Sequence, residues 1–246
     1  MSRLPNQSSD LPLQNSRAWV HYVSMKPTIK INFVSDIGCP WCAVALGTLE
    51  QAMEALKDQT DFEIHFEPFE LNSQMRVGGE NAIEYLGKKY GISEQQVKTN
   101  QANIRERATA AGFDFHPEGR KKIYNTFDAH RLLYWAGHEH GLGSQRRLKR
   151  EFFNTYFCLA ADFDQRENLL EAVQRAHLDQ SAASKVLEEG LFAKEVKAQE
   201  AYYQAQGIHA VPNLILNGKY SLQGAQPLDI LQASLKEVIA ESSQVT

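Results

Sequence analysis

The two cysteines of Cys39-Pro40-Trp41-Cys42 constrain this chain more than any other feature of its sequence. They follow an apolar, strand-like run over residues 29–34 and stand where a helical pattern begins. Two cysteines separated by two residues at a helix start can close a small disulfide ring and open it again. The partial positive charge of a helix N-terminus stabilises a thiolate on the first cysteine, and the thiolate is the form that attacks disulfides. The position therefore predicts a redox-active dithiol.

A structural zinc site is the main alternative for a Cys-x-x-Cys pair, and the rest of the sequence argues against it. Such a site needs four ligands, usually a second pair of cysteines or histidines at short spacing. The only other cysteine, Cys158, stands between apolar neighbours and is interpreted as a small core residue. The histidines are scattered: they are His21, His65, His116, His130, His138, His140, His177 and His209. The sequence thus favours a dithiol, and no metal site is expected.

Composition and charge restrict the function classes further. The 246 residues are 43% hydrophobic and 23% charged, as is usual for a soluble globular protein. A net charge of −4 provides no basic field for nucleic acid, and no run approaches the ~18 apolar residues of a membrane helix. Neither nucleic acid nor a membrane is therefore expected as a partner.

The first part of the chain is polar and lacks the apolar core of a secretory signal. We therefore expect a cytoplasmic protein, and in a reducing compartment a Cys-x-x-Cys pair is more often catalytic than structural. Residues 1–28 are expected to form a disordered N-terminal extension, because they are rich in Ser, Asn, Gln and Pro. Whether translation starts at Met1 or Met25 stays open at this point.

Apolar periodicity predicts strands at both ends of the folded part. Residues 29–34 and 62–68 have a strand pattern and flank a helical pattern over 40–57, which gives a β-α-β unit. Towards the C-terminus, two short apolar runs flank Asn217-Gly218, the strongest short hairpin signal, and a helix follows from about residue 228.

Between these ends, residues from about 80 to 206 show helical patterns and no convincing strand. The predicted helices cover residues 94–111, 125–140, a stretch from 144, 165–177, 179–188 and 191–206. The whole order predicts an α/β protein with a thioredoxin-like fold and an all-helical insertion domain. We assign residues 29–75 and 207–246 to the thioredoxin-like domain and residues 76–206 to the helical insertion domain.

Four motifs occur in the order of a known family. They are Ser35-Asp36-Ile37-Gly38-Cys39-Pro40-Trp41-Cys42, Asn125-Thr126-Phe127-Asp128-Ala129-His130-Arg131-Leu132, Val211-Pro212-Asn213 and Gly224-Ala225-Gln226-Pro227. Through them the chain resembles the DsbA family of thioredoxin-fold oxidoreductases, closest to its FrnE-like branch. The same family includes 2-hydroxychromene-2-carboxylate isomerase and kappa-class glutathione transferases. One departure is visible, since members often carry Gly before the Val-Pro pair and this chain has His209-Ala210.

The resemblance, together with the position of the pair, suggests roles for the central residues. Cys39 is nearer the helix end and is expected to be more exposed, so it should be the attacking thiol. Cys42 sits one turn further in and would resolve the mixed disulfide. The alternative is that both are buried core cysteines. The resemblance implies that Pro212 is a cis proline facing the dithiol and that the backbone of Val211 pairs with a bound substrate strand. An ordinary trans proline at a strand start is the alternative.

Three further candidates have open interpretations. Trp41, with Pro40 beside it, would offer substrates a flat apolar surface or form a structural rim. His130 would line the substrate cleft from the helical insert, as the resemblance implies, or be a packed, hydrogen-bonded histidine. Asp36 would relay a proton to Cys42 or act as a solvated or capping carboxylate.

The resemblance implies a thiol–disulfide oxidoreductase or isomerase that acts on disulfide-containing peptides, proteins or small molecules. No bound cofactor is expected, and glutathione or a partner dithiol would recycle the enzyme. One alternative is a glutathione-dependent isomerase or transferase of the same fold, although such relatives typically have serine where Cys39 stands. Another is a peptide-binding chaperone. The oligomeric state, a homodimer included, stays open.

Overall fold

A four-stranded sheet forms the centre of the protein in a computed structural model that describes residues 26–243. The strand order is β2-β1-β5-β6. The first two strands pair in parallel, and β5 runs antiparallel to both β1 and β6. The strands are β1 (Thr28–Ser35), β2 (Asp61–Pro68), β5 (Asn213–Leu216) and β6 (Tyr220–Gln223). The predicted strands at both ends of the folded chain therefore meet in one sheet.

Strand β1 lies inside the sheet, with β2 on one side and β5 on the other. Ile29, Ile31 and Phe33 are fully buried, as the alternating pattern predicts. The strand begins at Thr28, the last residue of the predicted extension, and the carbonyl of Pro27 accepts a hydrogen bond from the amide of Asp61. Residues 1–25 of that extension lie outside the described residues.

Helix α1 (Pro40–Leu56) follows the carboxyl end of β1 after a short turn. Pro40 occupies its first turn, where a missing N–H removes no helical hydrogen bond. The C-terminal helix α9 (Leu228–Ser242) packs against α1. Both helices were expected, and together they cover the apolar core of the thioredoxin-like part.

The predicted hairpin is present between β5 and β6. Asn217 and Gly218 have φ angles of 50° and 67°, which match the right-handed twist of a two-residue hairpin turn. The strand was predicted from residue 211 but begins at Asn213, because Val211 and Pro212 form a loop before it.

The helical block contains the helices of the predicted insertion and a small addition to them. Its helices are α2 (Ala82–Tyr90), α3 (Glu94–Ala110), α4 (Phe127–His140), α5 (Leu142–Phe153), α6 (Arg166–Arg175), α7 (Gln180–Glu188) and α8 (Ala193–Ala205). Helix α2 was missed from the sequence. The block also holds a two-residue antiparallel ladder, β3 (Glu80–Asn81) with β4 (Lys122–Ile123), which interrupts the expected all-helical segment.

The helical block packs against the sheet and against α1. Helices α4, α5 and α8 contact β2, while α3 contacts α1. Helix α5 continues into a π-helical turn, Asn154–Cys158. Within residues 26–243, none of the helices combines the length and apolar character that crossing a membrane requires.

Candidate active site

The dithiol lies at the junction of β1 and α1. Cys39 has extended backbone geometry just before the helix, and Cys42 occupies the first turn, with its amide donating to the Cys39 carbonyl at 3.0 Å. Both are free thiols in this structure. Cys39 is 4% exposed and Cys42 is fully buried. Cys39 is thus the more exposed of the two, as expected, but only by a small amount. Both cysteines belong to the core, as the alternative interpretation held, but Cys39 also lines a cavity.

The surroundings separate the pKa values of the two thiols. The hydrogen bond from the Cys42 thiol lowers the pKa of Cys39 below its ordinary value, despite opposition from burial; the Cys42 amide and the Arg120 guanidinium also lower it. Burial raises the pKa of Cys42 well above its ordinary value, and the contact with Cys39 adds to that increase. The proton should therefore leave Cys39 first, the order that the sequence position suggests.

The loop before β5 faces the dithiol. The Val211–Pro212 peptide bond is cis, in agreement with the sequence prediction. The Cys39 Sγ lies 3.7 Å from the carbonyl oxygen of Val211, and Val211 lines the cavity beside the thiol. The backbone of this loop is therefore placed where a chain bound at Cys39 would meet it.

A cavity of about 720 Å³ opens over Cys39. The thioredoxin-like part contributes Pro40 and Trp41 to its wall, together with the loop that ends in Val211. The helical block supplies the opposite wall through Leu86, Tyr90, Ile92, Val97, Ile104 and Phe115. The block thus covers the dithiol, and a molecule in the cavity would touch both parts of the protein.

The charged side chains on the cavity wall are all cationic. Lys89, Arg105 and Arg120 line it, and no carboxylate side chain does so within the described part of the chain. Arg120 donates to the carbonyl of Gly38 and lies over the rings of Tyr156 and Phe157, at 5.5 and 5.3 Å from their centroids. Sequence analysis missed this arginine, since a single cation in a loop carries no motif.

Asp36 is an anchor of the turn that carries the dithiol. Its Oδ1 accepts hydrogen bonds from the Gly38 amide at 2.9 Å and the Thr126 hydroxyl at 2.7 Å, while its Oδ2 accepts from the Leu71 amide at 2.7 Å. Burial alone would raise the pKa of this carboxyl, but His130 and the two amides together lower it. The structure therefore supports a capping carboxylate rather than a carrier of protons.

His130 lies behind the site rather than on the cavity wall. Its side chain is 2% exposed, and its Nε2 is 3.5 Å from Oδ1 of Asp36. It is not among the residues that line the cavity. The structure therefore places His130 where the packed alternative has it, and not on the wall of this cavity.

Cys158 and Lys149 lie outside the cavity wall. Burial raises the pKa of Cys158 to about 11, and its side chain packs against the core as the sequence suggested. Within residues 26–243, no cluster of three or more His, Cys, Asp or Glu side chains could hold a metal ion. Sequence analysis also missed Lys149, which is fully buried behind the dithiol.

A family model and several solved structures match this chain. The family model described as "DSBA-like thioredoxin domain" matches residues 30–236. No curated protein matched the sequence.

Solved structures share the fold over most of the chain. A probable DsbA oxidoreductase from Streptomyces coelicolor has a TM-score of 0.80 and 29% identity, covering 87% of this chain and 91% of its own. A 2-hydroxychromene-2-carboxylate isomerase has a TM-score of 0.64 and 15% identity, covering 88% and 99%. The cytosolic disulfide reductase DsbM from Pseudomonas aeruginosa has a TM-score of 0.58 and 16% identity, covering 85% and 97%. Because the family model extends over nearly all of the described residues, this chain belongs to the family of DSBA-like thioredoxin domains.

Proposed function

We propose that the protein catalyses thiol–disulfide exchange, with Cys39 as the attacking thiol and Cys42 as the resolving thiol. The observation that carries this proposal is the asymmetry of the pair. Cys39 lines the cavity and has a lowered pKa, whereas Cys42 is sealed behind it with a raised pKa. Membership of a family that contains disulfide oxidoreductases supports it.

The exchange proceeds in two steps. The Cys39 thiolate attacks one sulfur of a substrate disulfide, forms a mixed disulfide and releases the first substrate thiolate. Cys42 then loses its proton, and its thiolate attacks the Sγ of Cys39. The bond between Cys39 and the substrate breaks, the second substrate thiolate leaves, and the Cys39–Cys42 disulfide remains. The dithiol has given up two electrons to the substrate, and the same steps in reverse oxidise a substrate dithiol.

The charge and shape of the cavity favour acidic disulfides, either small or extended, as substrates. Glutathione would be the thiol that recycles the enzyme. Its charged wall residues Lys89, Arg105 and Arg120 would attract carboxylates, and the cavity offers no carboxylate among the described wall residues to repel them. The surrounding helices leave little room for a bulky folded protein, while the Val211 carbonyl beside Cys39 can align an extended chain.

Single-cysteine variants test the proposed roles. Cys42→Ser should accumulate a mixed disulfide with glutathione on Cys39, seen as a mass increase that reductant removes. Cys39→Ser should lose turnover of glutathione disulfide. Cys158→Ser, which removes a thiol outside the cavity wall, is the matched control and should keep the parent activity. Turnover by Cys39→Ser at the parent rate would refute the assignment.

The charge of the cavity is tested separately. Lys89→Met should raise KM for glutathione disulfide about fivefold, as expected for the loss of ~1 kcal/mol from a partly exposed charge contact. KM for the uncharged hydroxyethyl disulfide should not change. Lys98→Met is the control, because Lys98 pairs with Glu94 and lies outside the cavity wall. Equal changes for both substrates would contradict an electrostatic role of Lys89.

A further inference from the structure

A buried lysine near the dithiol forms and breaks no bond in the two proposed exchange steps. Lys149 belongs to α5 and is fully buried. Its Nζ has no hydrogen-bond partner among residues 26–243. The ammonium lies over the rings of Phe66 and Phe153, at 5.9 and 5.2 Å from their centroids. The two ring faces stabilise a cation only in part, since a buried ammonium has lost its hydration.

Helix α5, which carries Lys149, packs against α1, and the groups that interact electrostatically with Lys149 lie in α1 or beside it. They are Cys42, Asp36 and Cys39, on α1 or in the turn before it. The other elements that pack on α5, among them α4, α6, β2 and the π-helical turn, add no titratable group to this set within the described chain. The charge of Lys149 therefore interacts mainly with the two cysteines and with the Asp36 carboxylate.

Burial and the groups of the site act in opposite directions on Lys149. Burial lowers the pKa of Lys149 to about 8, whereas Cys42, Asp36 and Cys39 raise it. An anionic sulfur beside Lys149 therefore favours its ammonium form. Conversely, the charge of Lys149 lowers the pKa of Cys42, although burial outweighs this effect. The cation thus favours the state of the site that carries a thiolate on Cys42.

We propose that Lys149 is a positioning residue whose ammonium stabilises the Cys42 thiolate during the resolving step. This inference rests on the proposed exchange reaction. In the mixed disulfide, Cys39 carries no negative charge, so Cys42 must become the thiolate inside the core. It releases its proton to solvent, attacks the Sγ of Cys39 and displaces the substrate thiolate. Lys149 forms and breaks no bond; its charge offsets the desolvation of the attacking sulfur.

The reaction with dithiobis-nitrobenzoate, an aromatic disulfide, separates the two steps in one experiment. Attack by Cys39 releases a first coloured thiolate, and resolution by Cys42 releases a second. Lys149→Met keeps an unbranched apolar chain of similar length without the charge. At pH 7 it should slow the second release at least tenfold and change the first release much less.

The pH profile distinguishes charge from structure. Without the ammonium, the rate of the second release should increase only at a higher pH than in the parent. The difference in rate between variant and parent should therefore shrink under alkaline conditions, which deprotonate Cys42. A purely structural role would slow resolution without moving this profile. Arg146→Met is the matched control, since it removes a half-exposed cation from the same helix and should leave both releases unchanged.

Two outcomes decide the inference. If Lys149→Met resolves at the parent rate with the parent pH profile, Lys149 does not act on Cys42. If the variant does not fold, NMR titration of carbon-labelled lysines in the parent protein replaces it. One buried lysine must then titrate at higher pH in the dithiol form than in the disulfide form, and its absence refutes the inference. Failure of the exchange proposal is distinct, because the parent protein would then release no second thiolate.

Discussion

Gly47 of α1 lies close to the backbone of Ala111 at the end of α3. Its replacement by alanine should therefore destabilise the protein. A Cβ at this position would stand 1.9 Å from the carbonyl oxygen of Ala111 and 2.9 Å from its carbonyl carbon. Since real Cβ contacts are essentially never closer than 3.0 Å, the two segments would have to separate by about 1.1 Å, the difference between 3.0 and 1.9 Å.

The carbonyl group of Ala111 cannot move aside easily, because it is part of the backbone. The amide of Ala111 is bonded to the carbonyls of Arg107 and Ala108, and the neighbouring carbonyl of Gly112 accepts a hydrogen bond from Arg150. Alanine would gain ~1 kcal/mol of helix propensity over glycine, while overpacking in a close-packed core usually costs ~1–3 kcal/mol and more against backbone. We therefore expect Gly47→Ala to lose ~1–2 kcal/mol, which lowers Tm by roughly 2–8 °C in a protein of this size.

Urea unfolding and thermal unfolding of the reduced protein measure this loss. Gly143→Ala is the matched control, because Gly143 is an exposed helical glycine whose added Cβ would meet only the Arg147 guanidinium, at 3.7 Å. That variant should be neutral or gain up to ~1 kcal/mol from helix propensity. A Gly47→Ala protein as stable as the parent would show that α1 and α3 are not packed as closely as described.

The polar surroundings of the dithiol give two more predictions. Cys42→Ala should raise the pKa of Cys39, since it removes the thiol that hydrogen-bonds to the Cys39 sulfur, and the pH dependence of Cys39 alkylation measures this directly; an unchanged or lower pKa would place the cause elsewhere. For Asp36, whose pKa is lowered in the folded state, stability is fully present above the unfolded pKa of ~3.9 and is lost as the pH falls through the folded value. Asp36→Asn should therefore lose ~1–3 kcal/mol at pH 7 and show a flatter acid limb of stability, and an unchanged acid limb would refute this linkage.

Local signals in the sequence were enough to predict the dithiol, the hairpin and the order of the elements. The Cys-x-x-Cys pair and Asn217-Gly218 each act over a few residues, so their geometry hardly depends on distant parts of the chain. Helix α2 was missed because it buries only Ala82 and contains Gly87, which weakens a helical pattern; the two-residue β3–β4 ladder offers no periodicity to read. Such elements form because tertiary contacts complete them.

The electrostatics of the site could not be read in the same way. Arg120 lies in a loop 78 positions after Cys42 and Lys149 lies 107 positions after it, counted along the sequence, and neither belongs to a motif. His130 was correctly placed on a helix, but which face it presents depends on how α4 meets the turn at Asp36. Positions of this kind follow from the packing of whole helices, which periodicity does not specify.

The helical block therefore does more than cover the two cysteines: it also changes their electrostatic surroundings. Asp36 and the two cysteines come from the thioredoxin-like part, whereas the cations that interact with them, Arg120 and Lys149, come from the block. Without the block, Cys42 would lose the Lys149 ammonium that lowers its pKa, and Cys39 would lose a guanidinium that lowers its own. Because thiolate stability sets both the rate of attack and the reduction potential, changes in the block can alter the chemistry while the Cys-Pro-Trp-Cys sequence stays the same. Comparing dithiols by their motif alone would therefore miss the residues that distinguish them.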